Sequence, residues 1–327
     1  MSDGTLPLRP LLVIAGPTAV GKTELAIEVA LRLGAEVISA DAMQVYRGLD
    51  IGTDKPTPEQ RRGVEHHLID VADPEEPFNA SIYRELARRA LAAIESRGRL
   101  AIVCGGTGLY IRAFVDDLLP APGGYDPSVR AHLEAQARRE GSGLLYRRLA
   151  EVDPEAAARI HPHNVRRVIR ALEAYEVTGK PLSELQREAR RSARPLAAVW
   201  VGLIRPRPVL YERIHRRVDE QVARGLVDET RRLLLRGLGP GNTAMQALGY
   251  KEMARYLAGE LTFARAVEHL KLATRHYARR QLTWFRPDPR IRWFDLSALG
   301  SLDAAAGAVA RYYLERAAAS GPPAAYR

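Results

Sequence analysis

Residues 16–23 read Gly16-Pro17-Thr18-Ala19-Val20-Gly21-Lys22-Thr23, a complete G-x-x-x-x-G-K-T phosphate loop. Glycines at that spacing let the backbone fold around phosphate oxygens with its amides pointing inward. Lys22 adds a charge, and the Thr23 hydroxyl can hold Mg²⁺. This chemistry suits a diphosphate or a longer phosphate chain. A glycine-rich turn that only packs is the alternative. The motif, however, sits in its required context, after the apolar run Leu11-Leu12-Val13-Ile14-Ala15 and before a helical pattern. Two further groups follow similar runs: Asp41 after Val37-Ile38-Ser39-Ala40, and Gly105-Gly106-Thr107 after Leu100-Ala101-Ile102-Val103-Cys104.

These groups need elements to position them. Leu25, Val29 and Leu33, with Ala26 and Ala30, recur at helical spacing, and Gly34 ends the pattern as a C-terminal glycine does. Ile82, Leu86, Ala90 and Ile94 mark a second helix closed by Gly98. Strands alternating with helices predict an α/β fold, a P-loop NTPase-like parallel sheet flanked by helices. Ligands of such sheets collect beyond the carboxyl ends of the strands, where the phosphate loop, Asp41 and Gly105-Gly106-Thr107 all fall.

Near residue 121 the texture changes. Pro120-Ala121-Pro122-Gly123-Gly124 reads as a linker, and helical patterns then run without a strand to Ala198-Val199-Trp200-Val201-Gly202-Leu203. The expectation is a core of residues 1–120 plus 198–327, with an inserted all-helical domain over 121–197. The core should carry later helices at about 208–225, 226–236, 246–258 and 262–285. Residues 130–195 hold 14 Lys and Arg against 9 Asp and Glu, with Arg166, Arg167 and Arg170 together on one helix. Such a cluster is a solvated helix face or a polyanion-binding surface. Residues 271–292 hold seven basic residues and the single acid Asp288, interleaved with His276, Tyr277, Trp284 and Phe285. That mixture suits single-stranded nucleic acid, or a helix end packed on the core.

The chain carries 49 Lys and Arg against 39 Asp and Glu, a formal net charge of +10. This balance favours a polyanionic partner, unless it reflects only codon bias in an Ala- and Arg-rich genome. Lys22, Lys55, Lys180, Lys251 and Lys271 are the only lysines, so arginine, the better fork for phosphate, dominates. The lone Cys104 excludes an internal disulfide and reads as a buried, inert thiol. No charged-then-apolar leader and no run of about 18 apolar residues occurs, so a cytoplasmic protein with no membrane association is expected; separately, it is expected to act as a monomer. Residues 1–10 and about 317–327 are expected to fray. His66 and His67, adjacent in an extended segment, face opposite ways without Cys or acidic partners, which predicts structural histidines rather than zinc ligands.

A phosphate loop does not choose among kinase, NTPase and group transferase. The strand at 100–104 ends in Gly-Gly, without the acid that many NTP hydrolases place there to support Mg²⁺. Asp41 stands where small P-loop kinases hold a carboxylate for the acceptor. The segment Ser39-Ala40-Asp41-Ala42-Met43-Gln44-Val45-Tyr46, however, closely resembles the signature of the tRNA dimethylallyltransferases. Gly52-Thr53-Asp54-Lys55-Pro56, His66-His67-Leu68-Ile69-Asp70, Gly105-Gly106-Thr107-Gly108-Leu109-Tyr110, Arg170-Ala171-Leu172-Glu173, Thr178-Gly179-Lys180-Pro181 and Gly249-Tyr250-Lys251-Glu252 resemble that family in the same order. The likeness spans about residues 10–295. Singly, several of these motifs are ordinary turns; together they are specific.

The resemblance implies transfer of a dimethylallyl group from dimethylallyl diphosphate to N6 of the adenine 3′-adjacent to the anticodon in tRNA, at position 37. No nucleotide is hydrolysed. The phosphate loop would hold the leaving diphosphate, neutralised by Lys22, amide dipoles and Mg²⁺, with Thr18, Thr107 and Arg217 completing the cradle. Adenine N6 is a weak nucleophile, so Asp41 is the candidate base; a helix N-cap or a Mg²⁺ partner is its alternative role. Gln44 resembles the residue that reads the base, as a Gln carboxamide can pair with adenine, or else it caps a loop. The tRNA anticodon arm would meet Asp41, Ala42, Met43, Gln44, Thr107, Arg130, Arg166, Arg167, Val168, Ile169, Arg170, Gln246, Gly249, Tyr250 and Lys251, with the target base drawn out of its stack. One departure stands out: the family usually has Gln-Arg where this chain has Arg166-Arg167, which exchanges a base-reading amide for a phosphate contact. Two rivals remain at this stage. One is a small-molecule P-loop kinase with Asp41 as acceptor base; the other is an RNA-binding protein with a vestigial loop.

Overall fold

The computed structural model describes residues 9–119 and 125–319. The first apolar run is strand β1 (Leu11–Ala15), and the phosphate loop leads into helix α1 (Lys22–Leu33). Helix α1 stops at Gly34, whose φ of 63° is left-handed and cheap only without a Cβ. Then follow β2 (Ala35–Ser39), α2 (Pro58–Arg61), β3 (His66–His67), α3 (Ala80–Ser96), β4 (Leu100–Gly105) and α4 (Gly108–Val115). A run of five helices comes next: α5 (Pro127–Glu140), α6 (Ser142–Val152), α7 (Pro154–Arg159), α8 (Val165–Thr178) and α9 (Leu182–Ser192). The chain then forms β5 (Ala198–Ile204), α10 (Arg207–Ala223), α11 (Leu226–Leu235), α12 (Tyr250–Leu257), α13 (Phe263–Phe285), β6 (Ile291–Asp295) and α14 (Leu302–Ala319).

All six strands pair in parallel in the order β3-β2-β4-β1-β5-β6. Strands β1, β2 and β4 are buried along their whole length, as a parallel sheet flanked by helices requires. The register places Ala15 beside Gly105 and Ser39 beside Cys104. The chain therefore leaves β1, β2 and β4 at one edge of the sheet, which brings the phosphate loop, Asp41 and Gly106-Thr107 to the same side.

The chain divides into two compact units, residues 1–115 with 196–327, and residues 116–195. The second is all helical around Leu133, Leu145, Leu149, Val168, Ile169 and Leu172. The linker expected at 120–124 lies outside the described residues. Among the described residues, no helix is long and apolar enough to cross a membrane.

Three expectations need correction. The helix expected over 246–258 begins only at Tyr250, because Gly249 turns at φ 99° and a short 3-10 turn, Ala244–Gln246, precedes it. Residues 317–319 are the last turn of α14 rather than a frayed end, and Pro10 is held by the Tyr313 hydroxyl, which donates to its carbonyl at 2.9 Å. Residues 1–8 and 320–327 lie outside the described residues. Strand β6 was not foreseen. Its short run Ile-Arg-Trp-Phe-Asp interleaves charges with aromatics, and it pairs on one side only, with β5.

Candidate active site

The phosphate loop is built around two glycines with positive φ, Gly16 at 153° and Gly21 at 109°. A Cβ on Gly16 would lie 2.8 Å from the Leu203 carbonyl oxygen, so the loop closes against β5 only because that residue is glycine. Helix α1 starts at Lys22, which directs its N-terminal amides and positive dipole end at the loop. The Lys22 ammonium donates to the Pro17 carbonyl at 2.8 Å. Burial lowers its pKa most and the Arg217 charge lowers it further, so that even with Cys104 and Asp41 pulling it up it falls to about 8.

Three arginines surround the loop. Arg217, from α10, donates to the Thr18 hydroxyl oxygen at 3.0 Å, Arg213 to the Ala19 carbonyl at 2.8 Å, and Arg205 to the Val20 carbonyl at 3.0 Å. Asp54 pairs with Arg217 at 3.4 Å and with Arg224 at 3.3 Å. A cleft of about 400 Å³ opens beside them, lined among others by Lys22, Thr23, Asp54, Arg213, Arg216 and Arg217. Its five cations, Lys22, Arg62, Arg213, Arg216 and Arg217, outnumber the acids Glu24, Glu28, Asp54 and Glu220 by one and suit a phosphate chain.

On the other side of β1 from β5, Asp41 begins a tight loop. Its Oδ1 accepts the amides of Met43 at 2.9 Å and Gln44 at 3.3 Å, while Oδ2 accepts no hydrogen bond among the described residues. Asp41 therefore caps its own loop with one oxygen and keeps the other for a further donor. The Thr107 hydroxyl oxygen accepts the Ala42 amide at 3.0 Å, and the Thr107 amide donates to the Ala40 carbonyl at 3.1 Å. Thr107 thus braces the Asp41 loop, with the Tyr277 phenol beside its hydroxyl. Gln44 is engaged at both ends of its carboxamide: Nε2 donates to the carbonyls of Thr53 and Asp54 at 3.2 and 3.3 Å, and Oε1 accepts from the Ser39 hydroxyl at 3.1 Å. It clasps two loops in this structure.

Several motif residues are supports. Glu229 in α11, 3% exposed, accepts the amides of Asp50, Ile51 and Gly52 at 3.0 to 3.1 Å and the Tyr250 hydroxyl at 2.6 Å. Tyr250 has no exposed surface, and a Cβ on Gly52 would stand 2.6 Å from its ring. The Tyr250 side chain is packed in the core, its ring filling the space above Gly52. Buried Lys55 bridges Asp50, at 2.7 Å, and Asp70. Glu229→Ala leaves three backbone amides and a phenol without their acceptor, and urea denaturation should show a loss of about 3 kcal/mol or more.

In the helical unit, Arg130 and Arg170 converge on the fully buried Glu173 at 2.6 and 2.8 Å, which neutralises it. Val168 and Ile169 are buried in that unit's core, 1% and 5% exposed, so their side chains hold the helix in place and are not offered to a ligand. Arg166 and Arg167 are exposed. Gln246 is exposed and donates to the Pro240 carbonyl at 2.6 Å, and exposed Lys251 lies 3.7 Å from Glu252. His67 is 2.7 Å from Glu36, and the His66 ring is 2.8 Å from the Val64 carbonyl. Burial pushes the Cys104 thiol up to about 12.

Arg205, Arg213 and Gln281 reach the site without having been singled out in the sequence, and Tyr277, noted there only as one aromatic of the basic stretch 271–292, joins them. Tyr277 of α13 lies by Thr107 and Asp41, and burial pushes its phenol well above the usual range. The signal for Gln281 was a polar residue within the apolar stripe Leu270, Ala278 and Phe285.

The family model described as IPP transferase matches residues 44–288. A tRNA dimethylallyltransferase of Thermomicrobium roseum is 50% identical over 292 residues, which is 89% of this chain and 88% of that protein. The chain belongs to the IPP transferase family. The tRNA dimethylallyltransferase of Geobacillus kaustophilus is 48% identical over 300 residues, 92% of this chain and 95% of that protein. Among solved structures, the tRNA isopentenylpyrophosphate transferase of Bacillus halodurans superposes with a TM-score of 0.70 at 42% identity, covering 96% of this chain and 99% of that one. A eukaryotic dimethylallyltransferase acting on tRNA gives a TM-score of 0.81 at 29% identity, covering 98% of this chain and 82% of that one. The IPP transferase likeness makes this chain a prenyl-transferring enzyme and disfavours the kinase reading.

Proposed function

We propose that the protein transfers a dimethylallyl group from dimethylallyl diphosphate to N6 of the adenine 3′-adjacent to the anticodon, position 37, of tRNA. One observation carries this reading: the phosphate loop and the Asp41 loop leave the same sheet edge, the first ringed by cations and the second with a carboxylate oxygen to spare. A site for a departing anion beside a base is what allylic transfer to a weak amine requires. As the C–O bond to the diphosphate breaks, the allylic carbon bonds to N6, and the N6 proton passes to Asp41 Oδ2. Lys22, Arg217 and the loop amides take up the charge on the diphosphate.

Among the described residues, no cluster of three His, Cys, Asp or Glu could hold a metal by itself. Thr23, however, lines the cleft at the start of α1, and its hydroxyl is an oxygen ligand suited to a hard cation that also takes phosphate oxygens. When bound, Mg²⁺ would be held by Thr23 and the diphosphate and would lower the charge on the leaving group.

The anticodon arm is the natural partner of the basic helical unit, where Arg166 and Arg167 are free to meet phosphates while Arg130 and Arg170 stiffen the helix pair through Glu173. Incubation with dimethylallyl diphosphate, Mg²⁺ and unmodified tRNA should yield prenylated adenosine by nucleoside mass analysis. ATP consumption stimulated by a small metabolite, without that product, would indicate the kinase. Salt-sensitive tRNA binding without turnover would indicate a binding protein.

A further inference from the structure

Helix α13 turns a stripe of Leu270, Thr274, Ala278, Gln281 and Phe285 toward the core. Gln281 is the amide in that stripe and is 5% exposed. A carboxamide buried to that degree costs free energy unless both its ends are satisfied. Both are satisfied, by backbone on two different loops. Gln281 Oε1 accepts the Thr18 amide of the phosphate loop at 2.8 Å, and Nε2 donates to the Gly106 carbonyl at the tip of β4 at 3.0 Å. The packing is close: a Cβ on Gly106 would stand 2.1 Å from Gln281 Nε2.

Each loop continues directly into the chemistry. The Thr18 hydroxyl accepts from Arg217 at 3.0 Å, and Thr107, the residue after Gly106, holds the Ala42 amide at 3.0 Å, next to Asp41. One carboxamide therefore joins the anion-binding loop to the loop that braces the base. The junction needs an acceptor and a donor at once. A carboxylate offers no donor, methionine offers neither in useful strength, and Asn is a methylene too short.

We infer that Gln281 is a positioning residue for the transfer reaction, setting the distance between the leaving group and the base while touching neither substrate. This rests on the transferase reading above. In-line attack is sensitive to such spacing, since a misplacement of about 1 Å can cost up to about 10²-fold in rate. The cradle of Lys22, Arg217 and the loop amides remains when Gln281 is changed, so the effect belongs in kcat rather than in donor binding.

The test compares Gln281→Met, Gln281→Ala, Gly106→Ala and the double variant Gly106→Ala/Gln281→Ala, using dimethylallyl diphosphate and tRNA. Gln281→Met keeps the packing volume without the hydrogen bonds, and Gly106→Ala evicts the amide without altering it. Each single variant should lose about tenfold or more in kcat, with the KM for dimethylallyl diphosphate moving less than about threefold. The double variant should match Gln281→Ala alone, because the added methyl then has no amide to displace. Wild-type kcat in Gln281→Met, a loss confined to KM, or losses that multiply in the double variant would overturn the inference. A wild-type enzyme that forms no prenylated adenosine would instead sink the transferase reading.

Discussion

Asp41→Asn should lower turnover by about 10²- to 10⁴-fold while leaving thermal stability and tRNA affinity near those of the wild type. The substitution separates the two roles open to this residue. Asn retains the Oδ1 that accepts the Met43 and Gln44 amides, and it is as good a loop-former as Asp. What it loses is Oδ2, exchanged for an amide nitrogen that has its own hydrogens and cannot take a proton from adenine N6. Asp41→Ala removes both functions, so its additional loss over Asp41→Asn measures what the loop cap contributes to placing the base. Single-turnover rates with saturating tRNA and dimethylallyl diphosphate make the comparison. An Asn variant that turns over like the wild type would reduce Asp41 to a cap and leave the reaction without its base.

Residues that act through their immediate neighbours were legible in the sequence, and residues that act across the fold were not. The phosphate loop obeys a local rule: glycines where φ must be positive, a strand before and a helix after. The structure follows that rule at Gly16 and Gly21. Gly34 ends α1 for the same local reason. Gln281 instead serves a backbone amide 263 residues away, and Glu229 serves a loop 177 to 179 residues away. Neither contact leaves a trace in spacing; the only hint is a polar side chain inside an apolar stripe. Val168, Ile169 and Leu172 lie on the inward face of α8, between and beside the arginines, and a motif carried over as a block from the resemblance does not separate that face from the exposed one. Nor does spacing show that the Tyr250 ring packs over Gly52, since the two are brought together only by the fold.

Lys22→Met should lower kcat by about 10²- to 10³-fold, the usual cost of removing one fixed group that stabilises developing negative charge. It should also remove a pH dependence. In the free enzyme burial holds Lys22 near pKa 8 against an ordinary 10.5, so the ammonium is lost as pH rises through about 8. Diphosphate affinity, and with it kcat/KM for the donor, should therefore fall above that pH, and bound diphosphate should raise the pKa again by supplying an opposite charge. Stability runs the other way. Between about 8 and 10.5 the unfolded chain carries a proton on Lys22 that the folded chain has released, so the apoprotein gains stability as pH rises across that window. Lys22→Met takes the desolvated charge out altogether: its apoprotein should melt higher than the wild type at pH 7, yet gain little when inorganic diphosphate is added. Melting curves at pH 7 and 9.5, with and without diphosphate, test both signs together. A wild-type donor kcat/KM that stays level to pH 10 would show that the ammonium is not held near its release point. A Met variant that still gains its full share of stability from diphosphate would show that the arginines and amides carry the anion without Lys22.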